Sequence, residues 1–379
     1  MNALLSRSLG EKNQEGANRA AGTGLFLMLC TAAVFSLIGL TLAGVFFRVQ
    51  TENAQIIAYG RDYVMICIGG SLGIFMQVYG ERLLQSTGRT NLSMISQIAG
   101  AVTNIVLDPI LIFGLLGLPR LEVAGAALAT IIGQFVGAGI GLYLNLTHNP
   151  EVRIHRRNIR PHKATVKEIY AVGVPSIIMQ SIGSVMVFGM NKIFISFTEA
   201  ATAVFGAYFK LQSFVFMPIF GLNNAMVPII SYNYGAGRPD RFRRTIRLSV
   251  FAAVTIMCVG LALFELIPGT LLGLFSPSEE MLTIGRLALR VIGLTFPLAG
   301  FCIVAGSVFQ ALGTPVYSLI VSVCRQILVL LPVAYLLSLT GRLELVWWSF
   351  PIAELVSLTL SGLLLRRTMR KVNDRFDGK

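Results

Sequence analysis

Charged residues are scarce in this chain of 379 residues. Asp, Glu, Lys and Arg together make up 13% of the chain, and 54% of the residues are hydrophobic. A soluble domain has about 25% charged residues. With a mean hydropathy of +0.72, the composition excludes an ordinary water-soluble globule and predicts an all-α integral membrane protein.

Residues that bind metals or perform catalysis are also few. The three histidines, His148, His155 and His162, fall in one polar segment, and the five cysteines lie inside apolar stretches without a CxxC spacing. No Ser/His/Asp set and no phosphate-binding loop is present in the sequence. We therefore expect a protein that is not an enzyme and that has no cofactor and no metal site, with the cysteines as packing residues.

Apolar stretches long enough to cross a hydrocarbon layer of about 30 Å occur ten times in the chain. They lie near 22–47, 56–80, 93–118, 123–146, 169–197, 201–230, 248–275, 284–309, 316–340 and 345–365. An even number of spans places both termini on the same side of the membrane. We therefore predict a polytopic helical protein with ten complete spans.

Basic residues concentrate on the side of the membrane that holds the termini. The opposite side has only Arg48, Arg120, Arg286 and Arg342. By the positive-inside rule, the basic side is cytoplasmic, so the net charge of +13 reports topology and not nucleic-acid binding. The basic side includes Arg153, Arg156, Arg157, Arg160, Lys163 and Lys167, Arg238 to Arg247, and Arg366 to Lys379. The runs Arg153 to Lys167 and Arg238 to Arg247 are expected to meet anionic lipid headgroups.

The chain contains an internal repeat. Ser231 lies as many residues after Ser6 as Gly235 lies after Gly10. The segment Gln310–Gly313 is separated from Gln85–Gly88 by the same number of residues. Pro332 follows Pro109 at a slightly shorter displacement, which indicates a small change of loop length between the two marks. The order of spans is the same in both copies, so the repeat predicts two homologous helix bundles in parallel orientation, as in many secondary transporters.

The repeat also predicts a division of the chain. We expect an N-terminal lobe at 1–146, a basic cytoplasmic linker at 147–168 and a C-terminal lobe at 169–379. Two full spans precede Ser231, whereas five residues precede Ser6. We therefore expect the first lobe to lack about sixty residues, one helix and most of a second; the alternative is a ten-helix protein whose halves differ.

Several motifs then resemble a known family. Asn104–Pro109, Val123–Thr130, Met217–Gly221 and Ser231–Gly237 resemble the signatures of the multidrug and toxic compound extrusion (MATE) transporters. The ending Asn-Tyr-Gly-Ala and the pair Arg325–Gln326 are most similar to the bacterial MepA-like branch. The resemblance extends over essentially the whole chain, from the end of the family's second helix to its twelfth.

This resemblance implies export of amphipathic or cationic compounds by alternating access, in exchange for sodium ions or protons. It also implies a location in the bacterial inner (plasma) membrane. We expect a monomer whose partners are small-molecule drugs and membrane lipids. Two departures limit the analogy: the family's first helix, which usually carries an acidic coupling residue, is absent, and Gly183 stands eight residues after Pro175, where one branch has a glutamate.

Three polar residues in the first lobe form a candidate cation-coupling site. Asn104 and Asp108 are four residues apart, so they share one helix face, and Pro109 removes a backbone donor beside them. Thr130 is predicted at a similar depth on the next span. Carboxylate, amide and hydroxyl oxygens suit a hard cation, and a buried carboxylate can also carry a proton. The alternative is a hydrogen-bonded kink between two helices, and the family resemblance favours coupling.

The second lobe holds the other polar residues of interest. Charges in a bilayer core are costly, and Lys210, Arg290 and Arg325 are predicted to lie deep. Arg325 and Glu354 are predicted to form an ion pair, whose role is structural or, as the alternative, contact with substrate. Candidate substrate-binding residues form a soft methionine and aromatic surface on two neighbouring helices: Met179, Gln180, Met186, Met190, Phe205, Phe209, Lys210 and Phe216. Packing is the alternative role for these residues. Two other functions stay open: a flippase for a lipid-linked saccharide, which would need a strongly cationic cavity, and an inactive truncated transporter.

Overall fold

A computed structural model describes residues 1–153 and 158–377 of the chain. His155, Arg156, Arg157 and Lys379 from the predicted basic segments lie outside the described residues. Within them, all regular secondary structure is helical. This confirms the predicted all-α class.

The helices run in the following order. They are α1 Asn2–Gly10, α2 Gln14–Gln50, α3 Ala54–Gly69, α4 Leu72–Ser86, α5 Thr90–Phe113, α6 Glu122–His148, α7 Lys163–Ile195, α8 Glu199–Gly235, α9 Pro239–Leu266, α10 Pro268–Gly273, α11 Glu279–Gly293, α12 Phe296–Ala311, α13 Pro315–Val323, α14 Leu331–Ser338, α15 Leu343–Val346 and α16 Ser349–Phe376. A 3-10 turn, Leu115–Gly117, follows α5, and a π-helical segment, Cys324–Leu330, joins α13 to α14.

Eight of these described stretches are long and apolar enough to cross a membrane, and the number becomes ten if each bent helix pair is one span. The bent pairs are α3 with α4, at 42°, and α11 with α12, at 47°. The ten predicted spans agree with this count. The helices extend past the apolar stretches at several ends because a helix continues through the polar interface, whereas hydropathy reports only the lipid-facing part.

The internal repeat is visible in the backbone. The bent pair Glu279–Ala311 follows the bent pair Ala54–Ser86 at the displacement that separates Ser231 from Ser6. The Ser6 hydroxyl donates to the carbonyl of Ser86 at 3.0 Å, and the Ser231 hydroxyl donates to the carbonyl of Ala311 at 2.9 Å. The donor and the acceptor of the second hydrogen bond are the repeat equivalents of the donor and the acceptor of the first. The predicted internal repeat is therefore present in the structure of both units.

Left-handed backbone positions repeat as well. Gly88 and Gly313 have φ of 79° and 74°, and each ends a helix. Lys12, with φ of 58°, stands where the second copy has Gly237, with φ of 61°. The first copy therefore keeps a turn conformation that favours glycine without keeping the glycine.

The chain divides into two compact units, Met1–Ile169 and Tyr170–Lys379. Unit 2 has a large aromatic core in which Trp347 is fully buried and stacks on Phe194, with ring centroids 4.2 Å apart. Unit 1 has a small apolar cluster around Leu5 and Leu83, and its α5 and α6 contact each other through glycines. The two units therefore pack their helices by different means.

Candidate functional site

The three candidate coupling residues of unit 1 lie together between α5 and α6. The Asn104 amide donates to the Asp108 carboxylate and to the Thr130 hydroxyl, at 3.4 Å in each case. All three side chains are partly buried. These contacts are long for hydrogen bonds, so the three oxygen-bearing groups lie around a common point without being locked to one another.

Glycines bring the two helices close enough for this arrangement. A Cβ atom placed on Gly133 of α6 would lie 2.6 Å from the carbonyl oxygen of Gly100 on α5. The Ser96 hydroxyl donates to the Gly137 carbonyl at 2.7 Å along the same seam. Small residues at such spacing let membrane helices approach closely. Asn104 lies one turn after Gly100, so the close approach places it beside Thr130.

Asp108 lies near the end of its helix, five residues before Phe113. At 1.5 Å per residue this is about 7 to 8 Å. The next residue, Pro109, has no N–H, so the carbonyl of Ile105 loses its helical partner. Tyr63 of α3 lies within electrostatic range of the Asp108 carboxylate. Sequence reasoning missed Tyr63 because it lies on a different helix and no motif marks it.

Unit 2 contains a cavity of about 1000 Å³. Five of the candidate substrate-binding residues line it: Met179, Gln180, Met186, Phe209 and Phe216. The methionine and aromatic surface predicted from the sequence is therefore present along α7 and α8.

Three other candidates do not line this cavity. Met190 and Phe205 have exposures of 0% and 1% and belong to the aromatic core. Lys210 is exposed, with its amino group 5.7 Å from the centre of the Phe275 ring. The physical reason is helix rotation: each residue turns by about 100°, so neighbours in sequence with similar chemistry face different surroundings.

Side-chain amides make up much of the polar cavity wall. They come from α7, α8, α12 and the π-helical segment: Gln180, Asn191, Gln212, Asn223, Asn224, Gln310 and Gln326. Sequence reasoning singled out Gln180 alone. The signal was available, because Gln212 and Asn223 are eleven residues apart in an apolar span, about three helical turns, and so share one face.

An ion pair completes the cavity wall. Arg325 donates from Nη1 to the Glu354 carboxylate oxygen Oε2 at 3.2 Å. Among the described lining residues, these two alone are charged. The other carboxylate oxygen, Oε1, is buried and has no hydrogen-bond partner among the described residues. The cavity thus combines one cation, one anion and many amides.

Arg290 and Lys210 were predicted to be deep basic residues. Arg290 is 56% exposed and lies 3.8 Å from the Glu265 carboxylate near the end of α9. It does not line the cavity, and neither does Lys210. Only one of the three candidate deep cations therefore reaches the cavity.

Comparisons with known proteins give one consistent result. The model of the MatE family matches residues 1–110 and 175–336. The FAD transporter of Shewanella oneidensis is 26% identical over 355 residues, which is 93% of this chain and 78% of that protein. The multidrug export protein MepA of Staphylococcus haemolyticus is 26% identical over 361 residues, covering 95% and 78%.

Solved structures agree with the sequence matches. A multidrug resistance MATE family transporter of the MOP superfamily, solved in an outward-facing conformation, has a TM-score of 0.91 at 25% identity, covering 98% of this chain and 83% of that one. A MATE protein in complex with MaL6 has a TM-score of 0.90 at 25% identity, covering 98% and 84%. The helix order described above is thus that of these transporters.

Proposed function

The chain belongs to the MatE family of membrane transporters, and we propose that it exports amphipathic small molecules in exchange for sodium ions or protons. The transport cycle would be alternating access, in which the unit 2 cavity opens to one side of the membrane at a time. We place the protein in the bacterial plasma membrane with both termini in the cytoplasm, because basic residues concentrate on that side.

The observation that carries this proposal is the cavity of about 1000 Å³ in unit 2. Ligand sites for drug-sized molecules have volumes of about 300 to 1000 Å³. Methionine and aromatic side chains on one wall can adapt to ligands of different shape, while the amides on the other wall offer donors and acceptors. Such a lining supports binding of varied compounds that have both an apolar body and polar groups.

Ion coupling is proposed for Asn104, Asp108 and Thr130. The carboxylate, amide and hydroxyl of these residues lie around one point in a partly buried seam. A sodium ion would be held by oxygen ligands there, whereas a proton would bind to Asp108 itself. In either case the bound cation neutralises Asp108, and its release to the other side restores the charge.

Transport by purified protein in lipid vesicles tests this assignment. In the parent, an imposed sodium or proton gradient should drive accumulation of ethidium, and the Asp108→Asn variant should lose this gradient dependence because it has no ionisable group. Asp62→Asn is the matched control, since Asp62 is an exposed acid on α3. Gradient-driven transport by Asp108→Asn at the parent's rate would contradict the assignment.

A second candidate is export of flavin nucleotides. The Shewanella relative, which matches 93% of this chain, is described as a FAD transporter. The amide-rich wall of the cavity offers the many hydrogen-bonding groups that a flavin would need. Competition between FAD and ethidium for transport in the same vesicles would rank the two candidates.

Flipping of a lipid-linked saccharide receives no such support. That activity was expected to require a strongly cationic cavity to hold a pyrophosphate. The described lining residues supply one arginine and one glutamate, so the cavity is not strongly cationic.

A further inference from the structure

The positive end of the ion pair is the end that a solute in the cavity would meet. The Arg325 side chain is 37% exposed, whereas the Glu354 side chain is 6% exposed. Both residues line the cavity, and the guanidinium is the more exposed of the two charged groups. A neutral pair therefore presents positive charge to the cavity.

Arg325 also has unused hydrogen-bonding capacity. A guanidinium carries five N–H donors, and the described contacts use one nitrogen, Nη1, for Glu354. The planar arrangement of the remaining donors suits a carboxylate or a phosphate. Arg325 can therefore hold Glu354 and a second oxyanion at the same time.

A helical irregularity places Arg325 in this position. Arg325 belongs to the π-helical segment Cys324–Leu330, in which the N–H of Leu331 donates to the carbonyl of Gln326, five residues earlier. Pro332 follows and has no N–H to offer. A π turn inside a helix shifts the faces of the residues around it and occurs frequently at functional sites. The irregular turn thus coincides with the one cation among the described cavity-lining residues.

The surroundings do not oppose an anion. Glu354 is the only acid among the described lining residues, and its oxygen Oε2 is paired with Arg325. The adjacent Gln326 amide donates from Nε2 to the Ser322 hydroxyl at 2.8 Å and carries no charge. An incoming oxyanion would meet the guanidinium N–H groups that Glu354 leaves unused, with neutral polar groups around them.

We propose that Arg325 is the anion-binding residue of the unit 2 cavity and that the protein recognises amphipathic compounds carrying a carboxylate or phosphate group. This inference rests on the proposed function of the cavity as the substrate site. The substrate's oxyanion accepts hydrogen bonds from the guanidinium N–H groups that Glu354 leaves unused. Glu354 is a positioning residue, which orients the guanidinium through its hydrogen bond to Nη1.

Binding to purified protein in detergent separates charge classes. The probes are fluorescein for a carboxylate, 4-methylumbelliferyl phosphate for a phosphate monoester, and ethidium for a cation. Arg325→Gln should weaken binding of at least one anionic probe by about tenfold or more, as expected for loss of a charge-assisted hydrogen bond. Ethidium binding should change less than about twofold. Arg325→Lys should bind anions with intermediate affinity, because it keeps the charge and loses the planar fork.

A double variant separates binding from folding. Arg325→Gln alone leaves Glu354 as a buried charge without its cation, so the abundance of the folded protein is expected to fall. Arg325→Gln combined with Glu354→Gln removes both charges and should restore abundance. If Arg325 binds substrate, the double variant still binds anions weakly. Binding of both anionic probes by the double variant at parental affinity would overturn the proposal, as would an equal loss of ethidium binding.

The parent protein distinguishes failure of this inference from failure of the proposed function. If vesicles with the parent protein export ethidium but the purified parent binds neither anionic probe, only the assignment of Arg325 is wrong. Parent vesicles that export none of the three probes would count against the proposed export function itself. Of the two anionic probes, the one whose affinity depends on Arg325 identifies the preferred oxyanion.

Discussion

The two units differ at one pair of helices that the repeat makes equivalent. In unit 1, Gly100 and Gly133 let α5 and α6 touch backbone to backbone. In unit 2, the repeat places positions 323–325 and 356–358 at the equivalent points, and these hold larger side chains that include Arg325. One copy closes the seam around Asp108, and the other opens a cavity beside Arg325. The two copies of this helix pair therefore differ in side-chain size and in charge at the equivalent positions.

Removing one charge from each unit is the largest expected contrast. Arg325→Gln should lower the free energy of unfolding by about 3 kcal/mol, because it strands the buried Glu354 carboxylate. Asp108→Asn should lower it by less than about 1 kcal/mol, because asparagine keeps the hydrogen bond to Asn104 and Asp108 has no ion pair among the described residues. Thermal unfolding of both variants in detergent measures the difference. Equal losses would show that the two sites are built alike.

A methyl group in the glycine seam is the next test. Gly133→Ala should destabilise unit 1 by about 2 kcal/mol, since the new Cβ would lie 2.6 Å from a backbone oxygen. Gly139→Ala on the same helix is the matched control, because a Cβ there meets nothing within 4 Å. If both variants unfold at the same temperature, close backbone contact is not what holds α5 to α6.

The repeated serine contact tests where the two units are alike. Ser6 and Ser231 are both 0% exposed, and each donates to a carbonyl of the equivalent turn. Ser6→Ala and Ser231→Ala should each cost about 1 kcal/mol, because a buried carbonyl loses its donor. Parallel measurements of unfolding should give equal values within error, and a large difference would indicate that only one copy depends on this contact.

The smallest effect concerns a turn that has diverged. Lys12→Gly should raise stability by about 0.5 to 1 kcal/mol, because glycine adopts positive φ without the steric strain that lysine has there. Gly237→Ala, at the equivalent turn, should lower stability by a similar amount. A destabilising effect of Lys12→Gly would mean that the lysine side chain contributes more than its backbone strain costs.

The spans and the repeat were predictable because both depend on information carried along the chain. Hydropathy reports each stretch of lipid contact, and the constant displacement between the copies is readable from Ser6 and Ser231. The breaks at Gly70 and Leu294 were not predicted, because hydropathy averaged over a whole span hides the helix-breaking residues at each bend, Gly69 to Ser71 and Gly293 to Pro297.

The candidate sites show the same limit. Asn104, Asp108 and Thr130 were found together because a four-residue spacing and a motif identified them. Met190 and Phe205 lie in the aromatic core and not at the cavity, because composition does not fix the rotation of a helix. Trp347 is buried because its ring fits against Phe194, a contact that only the three-dimensional packing reveals.

The neutrality of the Arg325–Glu354 pair has an electrical consequence. Moving one elementary charge across a membrane potential of 100 mV changes its energy by about 2.3 kcal/mol. The two charges of an empty cavity cancel, so the potential does almost no work when the protein returns without substrate. The rate of this return should be the same in a polarised and a depolarised cell. A cavity loaded with a monoanion carries one net negative charge. In a cell with a negative interior, the potential itself would then push the loaded cavity outward, and export would draw on voltage as well as on the ion gradient.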